Sequence, residues 1–338
     1  MKILNVVLSR TITLLLLLVL LGACAATRPE PATDPLPSWN AGDAKQSILA
    51  FVDNVTDRSG PDFIAAEDRI AVFDNDGTLW SEKPTYFQFL FILDRIRALS
   101  ADHPEWRSQQ PFQAVLENDM AALAATGEHG LVELAGAAQA GMTSEEYEGI
   151  VSAWIESARH PVSGKPYTSM VFQPMLELLD LLRDKGFSVW IVSGGGIDFM
   201  RPWTEGAYGI PPQNVIGSSQ ELRYERRDSG PVLVREPRIH FINDKSGKPI
   251  GIERFIGRRP VIAVGNSDGD YEMLDWTTSG EGPRLGLIVH HTDGEREWAY
   301  DRDSSEGRLD RALADAPSHG WTVIDMARDW RMVFPPAD

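Results

Sequence analysis

The stretch Phe73-Asp74-Asn75-Asp76-Gly77-Thr78-Leu79 decides the reading of this chain. Directly before it, Arg69 to Phe73 is a short, mostly apolar run bounded by acidic residues, which predicts a buried strand. An acidic, Gly-containing turn at the end of a strand has two readings. It can be an Asx-type turn, since Asp-Gly is a common turn pair. It can also be a working site, because open α/β sheets place their chemistry at the carboxyl ends of strands. Two closely spaced carboxylates, Asp74 and Asp76, suit a nucleophile beside a general acid.

Outward from this stretch, the pattern predicts an α/β fold. Upstream, Ile48, Phe51, Val52 and Val55 recur at helical spacing. Downstream, Pro84 to about Ala158 is a helical zone without a convincing strand, broken at Pro104, Pro111, Gly127, Gly130 and Gly141. Within it Thr143 and Glu146 make a capping-box pair. From Gln173 an alternation of helices and strands resumes. Phe187–Val192, Gln213–Ile216, Val261–Val264 and Leu285–Val289 are the predicted strands. Leu222 to Ile242 predicts a β-hairpin turning at Asp228-Ser229-Gly230. Such alternation implies a mainly parallel sheet with helices on both faces.

Three further motifs sit at strand or helix ends. Ser193-Gly194-Gly195-Gly196 follows the Phe187–Val192 strand; its hydroxyl and N–H groups suit phosphate oxygens, and Gly permits close backbone approach. Lys248 opens the helical run Ile250 to Ile256, with Lys245 as a close rival. Gly265-Asn266-Ser267-Asp268-Gly269-Asp270 follows the Val261–Val264 strand. Read singly, each is also a flexible turn, a solvated lysine or an acidic loop.

Together, in this order, they resemble the haloacid dehalogenase-like (HAD) superfamily, whose first motif is D-x-D-G-T. Asp74 to Thr78 match every fixed position. The resemblance implies a Rossmann-like core with an all-helical cap inserted after the first strand, as in the phosphoserine phosphatase-type branch. It implies Asp74 as nucleophile, forming an aspartyl-phosphate, and Asp76 as general acid and base. It also implies phosphoryl binding by Ser193, Gly194 and Lys248, and Mg²⁺ held by Asp74, Asp76, Asn266 and Asp270. Dehalogenases of the superfamily lack the second Asp, so Asp76 points to phosphoryl transfer. The common fourth motif is G-D-x-x-x-D, and Asn266 stands in place of its first acid. That departure leaves open whether Asn266 or Asp268 ligates, and it is the one feature favouring an inactive scaffold that binds a ligand or partner. A phosphotransferase to an alcohol acceptor is a further alternative to a hydrolase.

Other residues are candidates around this site. Trp80, Tyr86, Phe87 and Phe89 line the entrance or fill a helix core. Arg95, Arg97 and Arg107 meet a substrate carboxylate or stay at the surface. His290 and His291 close the last strand, either near the site or as filler.

The N-terminus reads separately. Lys2 and Arg10 precede the apolar run Ile12 to Leu21, a secretory signal pattern. Leu21-Gly22-Ala23-Cys24 resembles the lipobox of bacterial lipoproteins, which implies cleavage and a lipid on Cys24. Ala23-Cys24-Ala25 also fits ordinary signal peptidase, and the uncharged stretch Thr11–Thr27 reads as a short membrane anchor. The single cysteine of the chain falls at the lipobox position, which favours lipidation and an exported, membrane-tethered protein. The expected organisation is a signal peptide at 1–23, a Pro-rich tether at 24–42, an α/β core at 43–80 and 171–338, and a helical cap at 81–170.

Composition narrows the partners. The 338 residues hold 32 Lys and Arg against 49 Asp and Glu, a net charge of −17. Nucleic acid and an acidic membrane face need a basic surface and are excluded as main partners. The expected partner is a small phosphorylated substrate.

Overall fold

In the computed structural model, which describes residues 34–336, the motif strand β1 (Ile70–Phe73) is buried along its whole length. The other strands are β2 (Ser188–Gly196), β3 (Val215–Arg227), β4 (Gly230–Phe241), β5 (Ile262–Gly265), β6 (Leu285–His290) and β7 (Thr322–Asp325). They form one seven-stranded sheet in the order β4-β3-β2-β1-β5-β6-β7. Every pairing is parallel except β3–β4. The fold is therefore α/β with a mainly parallel sheet. β1 takes β2 on one side and β5 on the other, with Phe73 opposite both Ile191 and Val264. That register brings three separate motif loops to one edge.

Two expected elements merge. Gln213–Ile216 and the first arm of the hairpin are one strand, β3, which runs straight from the parallel sheet into the hairpin. The turn lies where Asp228-Ser229-Gly230 predicts it, with Arg227 opposite Gly230. The segment from 301 onward, unplaced by sequence, adds helix Arg311–His319 and β7, which pairs with β6.

Between β1 and β2 lie helices Phe87–Leu99, Phe112–Glu117, Met120–Ala125, Gly127–Ala137 and Ser144–Ser157, with no strand among them. The Thr143–Glu146 capping box is present at the last of these. The insert is not one self-contained body. Leu93, Ile96, Trp106, Phe112 and Leu134 pack in a small core of their own. Phe87, Phe91, Tyr147, Val151 and Ile155 join the main core, where Phe91 meets Phe199 of helix Ile197–Tyr208 at 5.3 Å between ring centres.

The described end of the Pro-rich stretch is packed rather than free, because Leu36 and Trp39 find apolar cover. The Ser38 N–H donates to Glu177 Oε2 at 2.8 Å. Trp39 stands edge-on to Trp330 at 6.0 Å, and the Asn40 N–H donates to the Asp329 carbonyl at 2.8 Å. The signal segment 1–23 and Cys24 lie outside the described residues. Among the described residues, no helix is long and apolar enough to cross a membrane.

Candidate active site

The loop after β1 is held by its own backbone. The Asn75 carbonyl accepts from the N–H groups of Thr78, Leu79 and Trp80. Gly77 has φ +73°, and a Cβ there would collide with Asn266 Nδ2 and lie 2.5 Å from Glu82 Oε1. Only glycine fits, for both conformation and space. Folded this way, the loop turns Asp74 and Asp76 toward one cavity.

Lys248 sits in the first turn of helix Gly247–Phe255 and is buried. Its Nζ donates to Asp74 Oδ1 at 2.6 Å and to Asp270 Oδ1 at 2.5 Å. Burial opposes its charge, but Asp270 and Asp74 outweigh burial and raise its pKa. The rival Lys245 is exposed, so the helix start selects Lys248. Asp74 is pushed upward by burial and by Asp270, with Lys248 pulling the other way. Asp76 is also raised, by burial, while Trp80 Nε1 donates to its Oδ1 at 2.8 Å. The other Asp76 oxygen faces Gly195 across the cavity.

Ser193 is fully buried, and its Oγ accepts from the Gly195 N–H at 3.0 Å. A Cβ on Gly196 would meet Gln88 Nε2 at 2.5 Å, which is why the loop is glycine there. Asp74, Asp76, Ser193, Gly194 and Lys248 all line the same cavity, whose volume is about 420 Å³.

The fourth motif divides its labour. Asp270 has both oxygens engaged: Oδ1 by Lys248, and Oδ2 by the N–H groups of Asn266 and Ser267, each at 3.0 Å. It therefore braces Lys248 and the turn. Asp268 Oδ1 caps helix Arg311–His319, accepting from the N–H groups of Asp310 and Ala312. Asn266 is buried, with Oδ1 accepting from Thr78 Oγ1 at 3.1 Å. Its Nδ2 donates to Glu82 Oε1 at 2.8 Å.

Glu82 is the residue that sequence reasoning missed. It also accepts from the Tyr300 hydroxyl at 2.7 Å and lines the cavity. His291 lies close by, buried, with Nε2 on the Gly77 carbonyl at 2.8 Å and Nδ1 on Glu297 Oε2 at 3.1 Å. Burial opposes its proton, while Glu297 and Glu82 raise its pKa. Of the last-strand pair, then, His291 pins the motif loop, while His290 pairs with Asp301 at 3.3 Å.

The other candidates sort as follows. Trp80 and Phe87 are fully buried core, whereas Tyr86 and Phe89 line the cavity. None of Arg95, Arg97 and Arg107 lines it; Arg97 binds Asp94 and Asn118 at the surface.

Burial pushes Glu82 up from 4.5 to about 8. The folded protein thus holds a proton that the unfolded chain releases above its own lower pKa. In EDTA, stability should fall as pH rises from about 4.5 to 8, by on the order of a few kcal/mol. Glu82→Gln makes that slope shallower, leaving the part due to Asp74 and Asp76; thermal unfolding across this range checks it, and an unchanged slope would refute the assignment.

The mainly parallel sheet thus carries the acidic motif loop at the carboxyl end of its central strand, with the helical insert following it in the chain. Residues 71–275 match the family model described as haloacid dehalogenase-like hydrolase, and the chain belongs to that family. Among solved structures, the fold is similar to that of a conserved functionally unknown protein from Anaerococcus prevotii DSM 20548. That match has 15% identity, a TM-score of 0.52, and covers 83% of this chain and 91% of the other. A phosphoserine phosphohydrolase-like protein from Francisella tularensis subsp. tularensis SCHU S4 matches at 16% identity and TM-score 0.34, covering 74% and 98%. A probable phosphoserine phosphatase from Vibrio cholerae matches at 15% identity and TM-score 0.38, covering 77% and 67%. Curated protein sequences give no significant match.

Proposed function

We propose that the protein is a Mg²⁺-dependent phosphomonoesterase, acting on small phosphate esters through an aspartyl-phosphate on Asp74. The observation that carries this reading is the buried Asp74–Lys248–Asp270 chain opening on the same cavity as Asp76 and Ser193.

The donor chemistry suits the metal. Asp74, Asp76 and Asn266 offer hard oxygens, and Mg²⁺ commonly takes one or two carboxylates and keeps several waters. Among the described residues no group of three or more His, Cys, Asp or Glu is placed to hold a metal ion. Asp270 completes the expected oxygen set, its oxygens engaged by Lys248 and the turn N–H groups as Asn266 Oδ1 is by Thr78 Oγ1. When bound, the ion offsets charge on the phosphoryl oxygens.

In the proposed first step, the free Asp74 oxygen attacks phosphorus and the bond to the leaving oxygen breaks. Asp76, whose pKa burial raises, gives its proton to that oxygen. Lys248, Ser193 and the Gly194 backbone hold the phosphoryl oxygens. In the second step Asp76 takes a proton from water, whose oxygen attacks phosphorus and releases Asp74 and inorganic phosphate. Asn266 alone favoured a binding-only scaffold, and its amide is here paired with a carboxylate, Glu82. We further propose export and a lipid on Cys24.

Phosphate release from p-nitrophenyl phosphate by the full-length protein tests the reading. Release with Mg²⁺ and loss with EDTA are expected. No release with either, in folded protein, would defeat it; transfer to added alcohols in preference to water would make the enzyme a transferase.

A further inference from the structure

The proposed site accounts for only part of the cavity's lining. Phe89, Ile92 and Leu131 add apolar side chains to the same wall. The volume of about 420 Å³ falls in the range of sites for ligands well above the size of serine.

The other polar groups of the lining differ in how far they are engaged. Arg235 is engaged on three of its five N–H groups. Its Nη1 pairs with Asp198 Oδ2 at 2.8 Å, its Nε and Nη2 donate to Gln139 Oε1 at 3.1 and 2.6 Å, and its guanidinium lies 4.3 Å over the Tyr147 ring. Lys248 is committed to the phosphoryl end. Among the described residues, no other Lys or Arg lines the cavity. Asp198 is neutralised by Arg235, and Asp244 adds a further carboxylate to the wall.

Gln220 is free. It is 8% exposed, lines the cavity, and its Oε1 is buried without a hydrogen-bond partner among the described residues. A buried amide oxygen left unpaired costs stability, so its position is explained by a ligand that pairs with it. The neighbouring Ser219 lines the cavity as well.

Building on the phosphomonoesterase reading, we propose that the cavity takes esters of an uncharged, hydroxyl-bearing alcohol larger than serine, and that Gln220 reads the hydroxyl. A hydroxyl both donates to Oε1 and accepts from the amide nitrogen. The carbon face of such a polyol rests on the apolar wall. A leaving group with a carboxylate meets cations already paired with carboxylates, and a further lining carboxylate, Asp244; discrimination then comes from repulsion as well as fit. Phosphoserine is therefore a poor substrate.

The test is a comparison of kcat/KM for full-length protein with Mg²⁺ on p-nitrophenyl phosphate, ribose 5-phosphate, phosphoserine and phosphoethanolamine. Ribose 5-phosphate is expected to exceed phosphoserine by at least about 100-fold. Gln220→Met, similar in size, should lower the ratio of ribose 5-phosphate to p-nitrophenyl phosphate by about tenfold, the loss of one neutral hydrogen bond. Asp198→Asn frees part of Arg235 and should raise phosphoserine relative to p-nitrophenyl phosphate. Hydrolysis of p-nitrophenyl phosphate with phosphoserine or phosphoethanolamine ahead of ribose 5-phosphate overturns the inference while sparing the phosphomonoesterase reading. An unchanged ratio in folded Gln220→Met also overturns it. Failure to hydrolyse any of the four overturns both.

Discussion

Asp74→Asn should lower kcat by at least about 10⁴-fold, the scale seen when a nucleophile is removed from a unit that acts together. The fold should survive. Lys248 keeps its contact with Asp270, and the new amide oxygen still accepts from Nζ in place of Asp74 Oδ1. The Asp74 N–H, which donates to the Val264 carbonyl at 2.9 Å, is a backbone group and stays. The two measurements that matter are steady-state phosphate release and the unfolding midpoint. Lost turnover with an unmoved midpoint supports the nucleophile. Residual turnover within tenfold of the parent would transfer that role to another group.

The second large effect concerns Asn266→Asp, the change that restores the common family pattern. Here it should do harm. The new carboxylate would face Glu82 Oε1 across the 2.8 Å now spanned by an N–H···O bond. Two buried carboxylates at that distance cannot both ionise cheaply, and leaving a buried charge uncompensated costs several kcal/mol. In EDTA the unfolding midpoint should fall by on the order of 10 °C, and further as pH rises, since both carboxyl pKa values are pushed up and the folded state then binds the excess proton. Adding Glu82→Gln reverses the loss, because its amide can donate to the introduced carboxylate where Asn266 once donated to Glu82. A double variant no more stable than the single one would show that the pairing does not govern this position.

These two residues also mark what sequence can carry. Asp74, Asp76, Ser193 and Lys248 were legible because each sits in a short local pattern at a strand or helix end, and the parallel register then brings those ends together. Glu82 was not, since its partners Asn266 and Tyr300 lie 184 and 218 residues away. No periodicity announces such a pairing. His291 was visible as a strand-end residue, but its role depends on Glu297 and the Gly77 carbonyl, which only the fold supplies. Among the aromatics, the reading placed Phe87 and Phe89 in the helical zone as entrance or core; it could not show that one faces the core and the other the cavity. The same limit blurred the insert, whose apolar stripes are equally regular whether they bury against one another or against Phe199. β3 was divided in the reading because polar residues interrupt its apolar pattern at the point where it leaves the parallel sheet.

The seam between Trp39 and Trp330 has a consequence for how the chain can be rewired. Residues at opposite ends of the described polypeptide meet there, with the Arg331 N–H donating to the Ser38 carbonyl at 2.8 Å. A short flexible linker can therefore join the ends, and new termini can open at the exposed 228–229 turn of the β3–β4 hairpin, far in sequence from every motif loop. Such a circular permutant would keep the strand order while beginning its synthesis at β4. The α/β core is then defined by which strands lie side by side, and the order in which they leave the ribosome becomes a free variable.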